Sequence, residues 1–425
     1  VALASGATQS GFGRSGSVNW QTGSIKTATF TAASGEGYFC NTSGGAFTVN
    51  LPAGSAGAIV AVSDYGRNFA SNNLTISPNG SEKIGGIASD AVLDSNGQAA
   101  TFVYVDSTQG WVNVQNATST ETGLSPFITA TGGTITTSGD YKIHTFTGPG
   151  TFTVCNVATQ SPAPGNNTVS YMVVAGGGGG GAPPGLYGGG GGAGGFREYK
   201  GPADCYTASP LNGNPGGTAV TVTAQGYPIT IGAGGSGQGA GSNSIFSSIT
   251  SAGGGRGGRN YPSPFAAGNG GSGGGIGTFP PNSGSAGSGN TPPTTPSQGN
   301  PGAASTVGAG GGGGATAAGA AASPPINGGN GGAGATTSIT GSPTAYAGGG
   351  GGSSWKATGG TGGTGGGGNG NTGGACVPSP SFSPQTAGGT NTGGGGGGGG
   401  ADGGSGPSSN SAGGSGIVVI RYKFQ

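Results

Sequence analysis

One histidine and four cysteines are the only imidazole and thiol groups in this sequence. His144 lies in the alternating run Tyr141-Lys142-Ile143-His144-Thr145-Phe146, where a strand-face histidine is the simple reading. Cys40, Cys155, Cys205 and Cys376 are scattered. They lack the spacing of a metal site and are too few for a disulfide framework. Cys205 and Cys376 both sit in proline-bearing insertions, where one bridge between them can form. Acids are equally sparse, with only Glu198, Asp204 and Asp402 after Asp140. A glycosidase needs two carboxylates facing one groove, so depolymerase chemistry is disfavoured. Gly270-Gly271-Ser272-Gly273-Gly274 has the spacing of a nucleophile elbow, but the lone histidine lies far off in sequence. Gly-x-Gly-x-x-Gly recurs without a following helix, and no Gly-Lys-Ser/Thr occurs. The expectation is a protein that is not an enzyme, with no cofactor and no metal.

Recognition is the other chemistry on offer. Aromatic and basic residues break the glycine runs at Arg256, Arg259, Tyr261 and Phe265, then at Tyr346, Trp355 and Lys356, and at Phe382. Tyr187, Phe196 and Tyr199 do the same earlier. Rings in loops bring contact area at low entropic cost, which suits stacking on sugars or receptor loops. The competing role is structural, because polyglycine buries few side chains and needs rings for a core. At least one exposed cluster is expected.

The element that must carry these loops is a glycine block. Of 111 glycines, 24 fall before Gly176 and 87 after Ala175. Non-glycine residues recur every third position, as at Thr358, Thr361 and Thr364, and at Asn327, Asn330, Ala333, Thr336 and Ile339. Neither an α-helix nor a strand has that period. It is the period of the extended left-handed helix with three residues per turn, which has no internal hydrogen bonds. Glycine lets such helices approach closely and adds Cα–H···O contacts. Residues 176–416 are therefore expected to fold as a bundle of polyglycine-II helices with loop insertions. The apolar runs at 166–175 and 417–424 are expected to pair and staple its two ends.

Before the block, residues 25–123 show short alternating runs split by turn residues, the pattern of a β-sandwich or barrel. Ser95-Asn96-Gly97 and Ser107-Thr108-Gln109-Gly110 read as hairpin turns. Residues 1–24 read as an arm, and 124–175 as a second β-region with a hairpin joining 141–146 to 151–154. A further hairpin is expected over 218–231 and a third strand over 243–250. No helical pattern of useful length occurs, so the fold class is all-β with polyglycine-II helices and essentially no α-helix. Only 31% of the chain is hydrophobic, 5% is charged, and the net charge is +1. That balance argues against nucleic-acid binding. No run of eighteen apolar residues suggests membrane insertion. The opening Val1-Ala2-Leu3-Ala4-Ser5-Gly6 does not read as a signal peptide.

Two resemblances add to this reading. Gly37-Tyr38-Phe39-Cys40-Asn41-Thr42, Phe47-Thr48-Val49-Asn50-Leu51-Pro52, Gly57-Ala58-Ile59-Val60-Ala61-Val62-Ser63-Asp64 and Gly110-Trp111-Val112 resemble a β-module of bacteriophage tail-fibre and virion appendage proteins. Cys40 stands where that module has aspartate. Residues 140–424, from His144-Thr145-Phe146-Thr147-Gly148-Pro149-Gly150 through Met172-Val173-Val174-Ala175 to Ile417-Val418-Val419-Ile420, resemble the glycine-rich domain at the C-terminus of phage tail and adhesin proteins. The resemblance implies a tail-fibre or adhesin subunit on the virion surface that displays loops to the host. Its implied partners are copies of itself in a trimer, other virion proteins through the N-terminal module, and host polysaccharide or an outer-membrane protein. The alternative is a capsid decoration fibre or secreted extracellular filament subunit with no receptor. The threonine ladder at 358–364 also resembles the faces of glycine-rich antifreeze proteins, a weaker match because those lack a β-module.

Overall fold

The computed structural model describes residues 18–115, 127–159, 167–181, 187–214, 216, 218–259, 265–277, 285–324, 326–354, 357–373, 383–400 and 411–425. They are all-β, with no helix among them. Two compact units divide the chain: Val1–Pro126 with Ala158–Ala163, and Phe127–Val157 with Pro164–Gln425.

The first unit holds β1 (Asn19–Trp20), β2 (Phe30–Thr31), β3 (Glu36–Cys40), β4 (Phe47–Asn50), β5 (Ile59–Asp64), β6 (Leu74–Ser77), β7 (Ala91–Leu93), β8 (Ala99–Asp106) and β9 (Gly110–Asn113). Alternating burial along β4 and β6 gives each strand one core face. Two sheets share that core, in orders β1-β3-β5-β8-β9 and β2-β4-β6-β7. Within each sheet the early strands pair in parallel, Glu36 opposite Val60 and Phe47 opposite Leu74. From β1 to β6 the chain thus crosses from sheet to sheet at every connection and lays each strand beside the one placed a circuit earlier. This is a short β-solenoid of three coils rather than a hairpin-connected sandwich. Antiparallel β7, β8 and β9 finish it. Ser107–Gly110 does join a hairpin, β8 to β9. Ser95–Gly97 joins β7 to β8 in opposite sheets, and the Asp64 carboxylate fixes that crossover by accepting from Gly97 N–H at 2.9 Å. The expected N-terminal arm also needs correcting at its end, because Asn19–Trp20 pairs with Glu36–Gly37.

The second unit holds β10 (Thr129–Thr131), β11 (Thr134–Ser138), β12 (Tyr141–Phe146), β13 (Gly150–Asn156), β14 (Thr168–Val174), β15 (Phe196–Tyr199), β16 (Val220–Thr221), β17 (Gly226–Thr230), β18 (Ser244–Phe246), β19 (Ile249–Ser251), β20 (Ala335–Thr337), β21 (Thr344–Tyr346) and β22 (Ile417–Lys423). One sheet runs β11-β12-β22-β14-β15, with β16 also on β14. In it Val174 lies opposite Ile417 and Ser170 opposite Arg421, so the two ends of the glycine block are joined. A second sheet runs β10-β13-β17-β18-β19. Phe152, Tyr227, Phe246 and Ile229 from it pack on Val169, Tyr171, Val173, Val418 and Ile420.

The other face of β14 and β22 is also buried. Met172, Val174, Ile417 and Val419 pack with Phe196, Tyr206, Ala315, Ile339 and Tyr346. Burial on both faces explains the unbroken apolar runs there. Residues 127–157 are therefore part of the glycine-rich unit, not a separate β-region. Two hairpin readings are corrected by the same two-sheet arrangement, and one strand reading is corrected to a hairpin. Segment 147–149 links β12 to β13 in different sheets, 222–225 links β16 to β17 in different sheets, and 244–251 is itself a hairpin. Gly-Pro-Gly and Gln-Gly signal a chain reversal, but they do not say whether the reversed strand returns to the same sheet.

Glycine runs form the rest of this unit. In 176–181, Gly176 and Gly179 donate to Ser242 and Gly239, Gly177 and Gly180 to Gly414 and Ser411, and Gly178 and Gly181 to Gly192 and Gly189. The carbonyls accept from three further places: Gly254 and Gly257, Gly235, and Gly396 and Gly399. Each third residue thus addresses the same neighbour, and one run touches six others. That is a polyglycine-II lattice, in which all backbone polar groups bond between helices instead of within them. Its closeness requires glycine: a Cβ built on any of Gly176–Gly181 would stand 1.6 to 2.3 Å from a neighbouring carbonyl oxygen.

Candidate functional site

The run carrying Arg256 and Arg259 belongs to this lattice. Gly254 and Gly257 donate to Gly176 and Gly179, and Gly255 and Gly258 to Ser272 and Gly275. The remaining third, Arg256 and Arg259, is one turn apart on one face, roughly 9 Å along the axis at three residues per turn. The chain returns beside it. Arg259 and Phe265 exchange backbone bonds of 2.9 and 2.8 Å, and Gly268 donates to the Arg256 carbonyl at 2.9 Å. The Arg256 guanidinium lies over the Phe265 ring, with Cζ 4.0 Å from the centroid, and Arg259 Cζ lies 5.5 Å from the same centroid. All three side chains are half-buried. Arg256 Nε donates weakly to the Ala266 carbonyl at 3.4 Å, while Arg259 Nε is buried without a partner. A guanidinium carries five donors, so most of the donor capacity here is unused by the described protein atoms.

The other recognition candidates fare differently. Tyr346 is only 5% exposed and packs in the core under β14 and β22, so it is corrected from surface contact to core. Tyr187, Phe196 and Tyr199 are likewise buried. Here the structural role won, because the sheet faces the lattice on one side and needs rings to fill the step between strand and helix layers. Tyr261, Trp355, Lys356 and Phe382 lie outside the described residues. So does Cys376, which leaves the expected bridge with Cys205 without a described partner; Cys205 itself is exposed.

Residues with catalytic types occupy structural positions. Ser272, at the centre of the elbow-like motif, is fully buried in the lattice, and its carbonyl accepts from Gly255. His144 is buried, its Nδ1–H donating to the Gly132 carbonyl at 2.7 Å. Its Nε2 therefore accepts from the Tyr422 hydroxyl at 3.2 Å. Burial lowers its pKa from the ordinary 6.5, and nearby Lys142 adds to the lowering against the opposing Gly132 bond. Among the described residues no three His, Cys, Asp or Glu side chains are grouped so that they could hold a metal ion.

A buried charge cluster went unforeseen. Arg421 Nε bonds both Asp204 oxygens at 2.9 and 3.1 Å, and its guanidinium lies 4.4 Å from the Tyr141 ring centre. Ser170 Oγ and Cys205 N–H each donate to Asp204 at 2.9 Å. Nearby, Glu198 accepts from Ser209 N–H at 2.8 Å and from the Thr337 hydroxyl. Burial pushes the Tyr206 hydroxyl well above its usual range, with Glu198 and Asp204 adding to it. The cluster ties the 200–212 segment to β22, and Asp204 and Arg421 are spent on each other. Its sequence signal was Arg421 inside Ile417-Val418-Val419-Ile420-Arg421-Tyr422: a cation in a strand buried on both faces needs an acid, and few acids exist.

Residues 147–423 match a family model described as a glycine-rich domain. No curated protein matches the chain.

Proposed function

The chain belongs to the glycine-rich domain family, and from that premise we propose that it is a virion appendage protein, a tail-fibre or adhesin subunit whose lattice displays loops to a host surface. The observation that carries this reading is the closure between Arg259 and Phe265. The two residues exchange two backbone bonds, and Gly268 donates to the Arg256 carbonyl, so the lattice run is paired at both ends of an insertion in the sequence. A scaffold closed in this way can carry insertions of many sequences. In this reading the partners are further copies of the chain, in a trimer, and other virion proteins at the N-terminal unit. The target is host surface polysaccharide or an outer-membrane protein, and the place of action is the virion surface.

The test is adsorption of labelled full-length protein to a panel of bacteria, with and without extracted surface polysaccharide as competitor. Saturable, competed binding to some members of the panel supports the adhesin. No binding to any member, together with labelling of the capsid instead of the tail, would replace it with a decoration or filament subunit.

A further inference from the structure

The charges in the glycine block are few, yet two of its arginines converge on one ring. Arg256 and Arg259 hold their guanidinium carbons 4.0 and 5.5 Å from the Phe265 centroid. Like charges placed so near one another repel, and among the described residues the ion pairs are Arg421 with Asp204 and Lys423 with Asp140, neither involving this site. Arg259 Nε is buried with no acceptor. The backbone beneath is fixed by the lattice, and the shared contact with the Phe265 ring holds the two forks together. We propose that Arg256 and Arg259, aligned by Phe265, bind an anionic group of a surface polysaccharide, a sugar carboxylate or a sugar phosphate. Planar guanidinium forks match both anions, and a bridging anion removes the mutual repulsion and supplies the missing acceptors. Phe265 is the positioning residue, holding the forks by cation–π contact. The inference rests on the recognition role proposed above and names the chemistry of its target.

Titration calorimetry on the full chain tests it, with oligogalacturonate as the carboxylate probe, inorganic phosphate as the second probe, and a dextran oligomer as the neutral control. Saturable binding of at least one anion and none of dextran is expected. The arm that binds identifies the source. The Arg256→Gln/Arg259→Gln variant loses at least about tenfold in affinity, as removal of charge-assisted bonds requires. Unchanged exchange protection at Gly255 and Gly258 certifies its fold. Should that variant not fold, Phe265→Leu keeps both charges but frees the forks, and a several-fold loss is expected. Failure of both anions to bind, or wild-type affinity in a folded variant, overturns the site. Cell adsorption separates this from the wider role. A chain that binds the anion but adsorbs to no bacterium keeps the site and loses the adhesin. A double variant that adsorbs like wild type keeps the adhesin and loses the site.

Discussion

The two units satisfy the same backbone in opposite ways. In the solenoid, a strand bonds sideways to two neighbours, and side chains above and below do the packing: Trp111, Phe69, Phe102, Leu74 and Leu93 are fully buried there. In the lattice, a run bonds in three directions to six neighbours, and side chains are excluded from the contact. The first design is held by what hangs from the backbone. The second is held by the backbone itself and is defined by what is missing from it. The same added methyl group should therefore have opposite meanings in the two units.

The sharpest test of that contrast is Gly191→Ala. Its Cβ would lie 2.1 Å from the Gly178 oxygen, which is main chain and cannot rotate away. Overpacking typically costs about 1–3 kcal/mol and occasionally more, and a clash with main chain belongs to the costly end. Hydrogen exchange should show lost protection across residues 127–425 and none lost in 18–115; a neutral result would break the comparison. Next is Leu74→Ala, at a fully buried solenoid position. Removing side-chain bulk there costs about 2–5 kcal/mol, read as a shift of the denaturation midpoint. A smaller effect is expected in the run 358–363, where two N–H groups in three bond side chains instead of neighbouring carbonyls. Asn330 Oδ1 accepts from Thr361 N–H at 2.9 Å, and Asn327 and Asn369 do the same for Thr358 and Gly362. Asn330→Ala should cost about 1 kcal/mol, because water can take the exposed donor. The smallest is a pH effect at His144. Its folded pKa lies below the unfolded 6.5, so the unfolded chain binds the proton first. Stability of the second unit should fall as pH drops below about 6.5, and His144→Gln should flatten that slope in pH-dependent melting.

The same difference between the units decides what could be read in advance. The lattice was legible because its contacts repeat every three residues along the chain, and Thr358, Thr361 and Thr364 print that period directly. The asparagine row has a local explanation, since the Asn327 and Asn330 side chains accept from the Thr358 and Thr361 N–H groups of the neighbouring run. The joining of β14 to β22 was legible from two matching apolar runs. The solenoid was not, because Glu36 finds Val60 across a whole circuit of chain, and the strands alternate in burial as a sandwich strand would. Nor could the sequence say that both faces of β14 are covered, which is why Tyr346 reads as a loop residue and packs as core. Arg256 and Arg259 show their shared face through their spacing of three. Their convergence on Phe265 depends on where the chain re-enters the lattice, which no local period encodes.

The six-neighbour run has a thermal consequence. Melting a hydrocarbon core raises heat capacity, whereas exposing peptide groups lowers it. Gly176–Gly181 and runs like it hide mainly peptide surface, so the lattice contributes little to that increment per residue. A fold built this way has a flat stability curve. Its strength changes little between a cold environment and a warm one, and the solenoid core and the side-chain cores flanking β14 and β22 are the parts whose stability bends with temperature.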